Sequence, residues 1–466
     1  MANQLEERII KGAAARLFPV LPESKKEERA TSVLLSVLTI VPDFSSRILE
    51  VCEVKVSPRT VISGYTEVSF KGEHANLRPD GLLIVSNQKS TWTALIESKI
   101  GNSAHSDDQV ESYLNIAKEQ GINAVITISN QYTASPQIHP SYSKKPKHKN
   151  ISLYHFSWAS INAASILLIE NKSVSDKEQA FILHELTRFL SHESSGISST
   201  ISLPKSWKTI CDEVFQGIPI KKTSPETADL VAAWFQLLRY STISLSLALS
   251  RSCIVNLARK HLADNNQRIQ DSISLLVSKN LLSGAIQVPD AASNLEIEID
   301  LNKRTLKLSS KIQTPKDVKQ TRAAMNFAFG QFKNTDDASL LIKFNWPGRI
   351  AATQGVLIDY LEEEKRPQLV PEGFKGLPVS AEIIRIIDLG AGIKSNKKLN
   401  ELFNEEVINY YRNSLQIMKN WQPKAPKVKR QTVVSNDEVN IAPVATPIDS
   451  QAVKRWPFKL GVFDNN

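Results

Sequence analysis

The chain has 466 residues, 41% hydrophobic and 23% charged, with a formal net charge of +9 and three cysteines. This ordinary globular composition gives two or three domains as the prior, and Cys52, Cys211 and Cys253 stand too far apart for metal-ligand spacing, as suits a reducing cytoplasm. No run of about 18 apolar residues occurs, so a membrane span is not expected, and the basic balance weakly favours an acidic partner such as nucleic acid.

The opening MANQLEERIIKG is charged and lacks the apolar core of a leader peptide, so none is expected. Residues 1 to about 55 read as helical. Val33, Leu34, Val37 and Leu38 recur at helical spacing between Glu27 and Ile40, Pro42 ends that helix, and Asp43 offers a cap for a short second one. The pattern then turns to strand through VISGYTEVSF, GLLIV and TWTALIESKI. A capped helix follows, with Ser106 or Asp107 at its start and Gly121 just past its end. INAVITIS and ISLYHF read as further strands around a Lys- and Pro-rich loop, and KEQAFILHELTRFLSH reads as a helix. This order predicts an α/β fold with a mixed central sheet flanked by helices over residues 1–195.

Ser, Gly and Pro between 196 and 206 read as a linker. Residues 207–421 read as a mostly helical second domain, with a hairpin turning near Asn302 and Lys303 and one further strand in SLLIKFNW. From 422 to 466 the chain is Pro-rich, basic and without apolar periodicity, the pattern of a disordered tail.

The stretch RPDGLLIVSNQKSTWTALIESKI concentrates the chemistry. A hairpin with a four-residue loop, Asn87 to Ser90, sets Leu82 opposite Leu95, Ile84 opposite Thr93 and Asp80 opposite Glu97. Glu97 and Lys99 share a strand face. Two carboxylates at close range repel unless a cation lies between them, and their hard oxygens suit Mg²⁺. A neighbouring lysine can steer a water or offset developing phosphorane charge.

These residues resemble the PD-(D/E)xK nuclease superfamily, with Pro79-Asp80 as the PD element and Glu97-Ser98-Lys99 as the ExK element. The matching order continues with a helix carrying Gln109 and Tyr113 and then the strand AVITIS, so the resemblance covers roughly Thr31 to Ser160. It implies a restriction-endonuclease-like fold. Asp80 and Glu97 would bind Mg²⁺, or Mn²⁺ in its place, with the Ser98 carbonyl as a third ligand. Lys99 would orient or activate the attacking water, Gln109 would hold a supporting or phosphate position, and Glu67, with Glu73 as the alternative, would complete the metal shell. The implied activity is hydrolysis of phosphodiester bonds, in DNA ahead of RNA, as in bacterial restriction or defence against phage. The competing reading is a non-catalytic protein that binds nucleic acid or a partner on the same fold.

Other signals are weaker. Lys144, Lys145, Lys147 and Lys149, with His148, could touch a phosphate backbone or simply form a solvated loop. Lys424, Lys427, Lys429 and Arg430 read the same way. His184, Glu185 and His192 lack zinc-protease spacing. Glu296, Glu298 and Asp300 read as the wet face of a hairpin, with Glu298 opposite Lys307. No phosphate-binding loop or nucleophile elbow appears. The expected setting is the cytoplasm, with no membrane contact and with a homodimer or protein partner engaged through residues 207–421.

Overall fold

The structure, a computed structural model, describes residues 5, 8–22, 24–72, 76–88, 90–101, 103–140, 142, 150–197 and 201–420. The expected tail at 422–466 lies outside the described residues, which belong to one compact unit running from Met1 to Trp421.

The first segment corrects the expectation of an all-helical start. Ile9–Ala14 is a strand, β1, paired antiparallel with β2 (Val61–Phe70). Nothing local marks it, because its side chains are mostly exposed and its pairing partner lies some fifty residues on. Helix α1 (Lys26–Ile40) carries Glu27 and Glu28 in its first turn, where carboxylates favour the helix dipole, and buries Ala30 to Leu38. Val41 is extended, as a residue before proline prefers. Pro42 then opens α2 (Pro42–Leu49), so Asp43 sits in the first turn rather than at the cap.

Strands β3 (Gly81–Ser86) and β4 (Thr91–Ser98) form the expected hairpin, with Leu82 opposite Leu95, Ile84 opposite Thr93, and the loop closed by Asn87 N–H donating to the Ser90 carbonyl at 2.8 Å. Helix α3 (Asp107–Gln120) starts at Ser106, whose side chain accepts from Gln109 N–H, and stops at Gly121 in the left-handed region, φ 68°. It carries the chain across to β5 (Ala124–Ser129), parallel to β4, and β6 (Ser152–Ser157) follows parallel to β5. The six strands stand in sequence order, with an antiparallel part joined to a parallel one. Helices α4 (Trp158–Glu170) and α5 (Lys177–Ser191) pack with α1 and α2 on one face of this sheet.

Residues 201–420 correct a second expectation. Helices are present: α6 (Lys205–Phe215), α7 (Pro225–Leu249), α8 (Arg259–Ala263), α9 (Asn265–Lys279), α10 (Thr321–Gly330) and α11 (Asn396–Tyr410). They pack with a seven-stranded antiparallel sheet rather than with one hairpin and the single further strand expected in SLLIKFNW, which is one strand of that sheet, Leu340–Asn345. Its strands are β7 (Ile254–Val255), β8 (Leu281–Gln287), β9 (Leu295–Asp300), β10 (Thr305–Gln313), β11 (Leu340–Asn345), β12 (Thr353–Val356) and β13 (Ser380–Asp388). They lie in the order β12-β11-β13-β10-β9-β8-β7. Interior β13 joins β10 to β11 across the sheet, a pairing that no local pattern announces. The hairpin of β9 and β10 is as expected: burial alternates along β9, Glu298 opposes Lys307, and their side chains pair at 3.2 Å.

Tyr132, Ala134, Ile138 and Ala163 join the same hydrophobic core as Trp207, Trp234 and Phe403. Within the expected linker, Leu203 N–H donates to Asn396 Oδ1 and the Ile201 carbonyl accepts from Asn400 Nδ2, both on α11. No single helix among the described residues is long and apolar enough to cross a membrane.

Candidate active site

Alternation along the strands decides which side chains meet. Leu83, Val85, Ala94 and Ile96 face α1, α2, α4 and α5, whereas Leu82, Ile84 and Leu95 face α3. Glu97 lies two residues beyond Leu95 and Asp80 two before Leu82, so both fall toward α3. Gly81 pairs with Ile96, which carries the register on to Asp80 opposite Glu97. The Asp80 backbone N–H donates to Glu97 Oε2 at 3.4 Å. The apolar rows thus end in charge where the sheet meets the first turn of α3.

Each carboxylate is held in place. Asp80 Oδ2 accepts from Ser98 N–H at 2.7 Å and from Ser98 Oγ at 3.1 Å. Ser98 Oγ lies 2.7 Å from Thr31 Oγ1 on α1, which ties the strand end to the opposite layer. Glu97 is 3% exposed, and its Oε1 accepts from Lys99 Nζ at 3.0 Å and from Gln109 Nε2 at 2.6 Å. Tyr113, one turn along α3 from Gln109, is buried and also hydrogen-bonded to Glu97. Gln109 and Tyr113 therefore face the carboxylates rather than solvent.

The electrostatics follow from this crowding. Burial, reinforced by the neighbouring Glu97 charge, pushes the Asp80 carboxyl up from 3.8 to about 7. Burial also raises Glu97, although Lys99 and Tyr113 work against the shift. Burial alone would lower Lys99, but the carboxylates of Glu97, Glu27 and Asp80 outweigh it and hold the ammonium form. Lys99 also lies 3.6 Å from Glu27 on α1, whose other oxygen accepts from Ile100 N–H. Glu27 and Thr31 had no sequence signal, because they look like ordinary first-turn and core residues of a helix.

Glu67 is placed differently. It takes a left-handed φ of 53° beside a shift in the β1–β2 register, and its N–H donates to the Asp80 carbonyl at 3.0 Å. Its carboxylate pairs with Arg78 at 2.8 Å, so backbone links it to Asp80 but its side chain serves a cation. Glu73 lies outside the described residues, as do Lys144, Lys145, Lys147 and Lys149. Behind the site, His105, His139 and His155 cluster with ring centres 5.3–6.2 Å apart. Burial pulls them down to about 4, about 2 and about 3 and keeps them neutral. His105 contacts the Ile128 carbonyl, which also accepts from Lys99 N–H.

Among the described residues no group of three or more His, Cys, Asp or Glu side chains is placed to hold a metal ion. A Mg²⁺ ion does not require three, because it is commonly held by one or two carboxylates, retained waters and substrate phosphate. The oxygens present fit that pattern. Among the described residues Asp80 Oδ1 accepts no hydrogen bond, and Glu97 Oε2 accepts a long one from Asp80 N–H. Ser98 N–H points at Asp80, and in a strand the carbonyl of the same residue faces the same edge. Two buried carboxylates, one of them pushed up by the charge of the other, would be relieved by a divalent cation.

Compared with known proteins, the chain matches no family model, no curated protein and no solved structure, so its own geometry carries the reading of this site.

Proposed function

We propose that the chain is a divalent-metal-dependent nuclease that hydrolyses phosphodiester bonds, with DNA as substrate. The observation that carries the reading is the convergence of Asp80, Glu97, Lys99 and Gln109, from two strands and one helix, on one end of the six-stranded sheet. The order of a helix, an antiparallel β2–β3–β4 meander, a crossover helix and a parallel strand also supports it, because that order underlies the resemblance to PD-(D/E)xK nucleases.

Asp80 Oδ1, Glu97 Oε2 and the Ser98 carbonyl would hold the ion. When bound, the ion supplies charge neutralisation at the phosphate and lowers the pKa of a coordinated water. The chain's own residues do the rest. Ser98 keeps Asp80 Oδ2 engaged, which leaves Oδ1 directed to the ligand side. Gln109 and Lys99 restrain Glu97 through its other oxygen. Lys99 stays protonated, so it acts by orienting the attacking water and offsetting charge on the phosphorane, not by removing a proton. The water oxygen bonds to phosphorus and releases its proton to solvent, the bond to the leaving sugar oxygen breaks, and that oxygen takes up a proton from solvent.

Supercoiled plasmid incubated with the full chain and Mg²⁺ or Mn²⁺ tests this directly. Nicked or linear product is expected, with Asp80→Asn and Glu97→Gln each slower by at least roughly 10²-fold. No cleavage with either ion, together with an intact gel shift of the plasmid, would replace the proposal with a non-catalytic DNA-binding protein.

A further inference from the structure

A second site lies away from these carboxylates, in a cavity of about 370 Å³. Its walls come from α2, α4, α7 and the segment around β7, and they are mostly apolar: Ile48, Phe156, Ala163, Ile243, Val255 and Leu257. That volume is at the small end of the range for small-molecule pockets. Exposed Ile254 and Leu262 mark its mouth, together with Arg47, whose guanidinium bonds to Ser252 Oγ at 2.9 Å.

Arg239, on α7, stands in the cavity wall. It is half-buried. Desolvation pulls its guanidinium down to about 10. The chain treats its other deeply placed arginines differently. Arg366 donates to the Tyr360 and Leu361 carbonyls and to Asn326 Oδ1. Arg268 lies 3.6 Å over the Phe235 ring. Arg239 has no hydrogen bond, ion pair or ring contact among the described residues, and the one titratable neighbour that acts on it is the Cys253 thiol, which burial keeps neutral. An unpaired cation at an apolar wall is costly unless an anion arrives to meet it.

We propose that this cavity binds a small amphiphilic monoanion, its carboxylate on Arg239 and its apolar body along the α4 and α7 walls. One guanidinium in an apolar wall matches one negative charge, and its planar fork matches a carboxylate. A phosphate monoester would bring a second charge with no second interior cation to meet it, because Arg47 is already engaged by Ser252 and Glu50 at the mouth. This inference stands independently of the nuclease reading, since neither Asp80 nor Glu97 lines the cavity.

Calorimetric titration of the full chain with octanoate, octyl phosphate, octanol and inorganic phosphate tests it without any nuclease assay. Octanoate is expected to bind with a Kd below roughly 1 mM. Octyl phosphate and octanol are each expected to bind at least roughly tenfold more weakly, and inorganic phosphate not at all. Arg239→Met is expected to weaken octanoate at least roughly tenfold while leaving the unliganded chain as stable as before or more so. Ala164→Leu fills the cavity, leaves Arg239 in place, and is expected to abolish binding; it decides alone if Arg239→Met does not fold. The proposal is overturned if octanoate does not bind, if octanol or octyl phosphate binds as tightly, or if octanoate binds the variants as it binds the parent.

Discussion

Gln109 Nε2 donates a 2.6 Å hydrogen bond to Glu97 Oε1, across the junction between α3 and the end of β4. The bond exists because Ser106 caps α3 and so fixes where its first turn begins, three residues before Gln109. A carboxylate held by one oxygen cannot easily swing its other oxygen away from a bound cation. Gln109→Leu is expected to lower cleavage roughly 10- to 100-fold and to raise the Mg²⁺ concentration needed for half-maximal rate. Gln109→Glu is expected to be worse, because it adds a third negative charge beside Glu97. Plasmid cleavage measured across a Mg²⁺ titration reads both effects.

Burial and the neighbouring Glu97 charge push the Asp80 carboxyl up to about 7 in the folded chain, against 3.8 ordinarily. Between those values the folded chain keeps a proton that the unfolded chain has lost. The stability this group contributes is therefore full below its unfolded pKa and disappears as pH rises through its folded one. Asp80→Asn does not titrate and still accepts from Ser98. Its Tm is expected to exceed the parent's by more at about pH 8 than at about pH 5. Mg²⁺ is expected to raise the parent's Tm at the higher pH and leave the variant's unchanged. Thermal melts at the two pH values, with and without Mg²⁺, check the sign of each difference.

Lys99 lies 3.0 Å from Glu97, and both side chains are largely withdrawn from water. Lys99→Met leaves Glu97 buried without its cation. The expected cost is about 1–3 kcal/mol at alkaline pH, smaller in acid, where Glu97 takes up a proton instead. Cleavage is expected to fall while Mg²⁺ binding survives, since the lysine is not a ligand. Denaturant unfolding at two pH values and calorimetric Mg²⁺ titration separate the two roles.

Gly81 follows Asp80 directly, and α1 packs closely over it. A Cβ there would come within 2.7 Å of Leu35 Cδ1, 3.2 Å of Thr31 Cγ2 and 3.3 Å of Ile96 Cβ. Gly81→Ala is expected to cost about 1–3 kcal/mol by pushing α1 off the sheet. The same displacement strains the Thr31–Ser98–Asp80 chain of hydrogen bonds, so activity is expected to drop further than stability alone explains. Gly64→Ala meets Leu35 Cβ at 3.0 Å but pairs with Leu83, three residues past Asp80, and it serves as the control. Unfolding and cleavage measured on both variants distinguish crowding from loss of site geometry.

The hairpin register, the α3 boundaries and the two-faced sheet could be read in the chain because they rest on local chemistry. Period-two alternation fixes which side chains face together, a four-residue loop fixes the register, and Ser106 and Gly121 are strong punctuation for a helix. Those elements already place Asp80 opposite Glu97. What remained hidden depends on long-range pairing. β1 becomes a strand only because β2 offers it an edge, and β13 joins β10 to β11 from more than sixty residues beyond one and thirty-five beyond the other. A short apolar run carries no label for its eventual partner. The same limit applies at the site. That Glu27 and Thr31 support Lys99 and Ser98, that Glu67 answers Arg78, and that Arg239 stands unpaired in a cavity wall are consequences of packing α1, β2 and α7 in space. Charge in a sequence reports which groups are present; only the folded chain sets their distances and removes the water between them, and both govern what a charge costs and which ligand it selects.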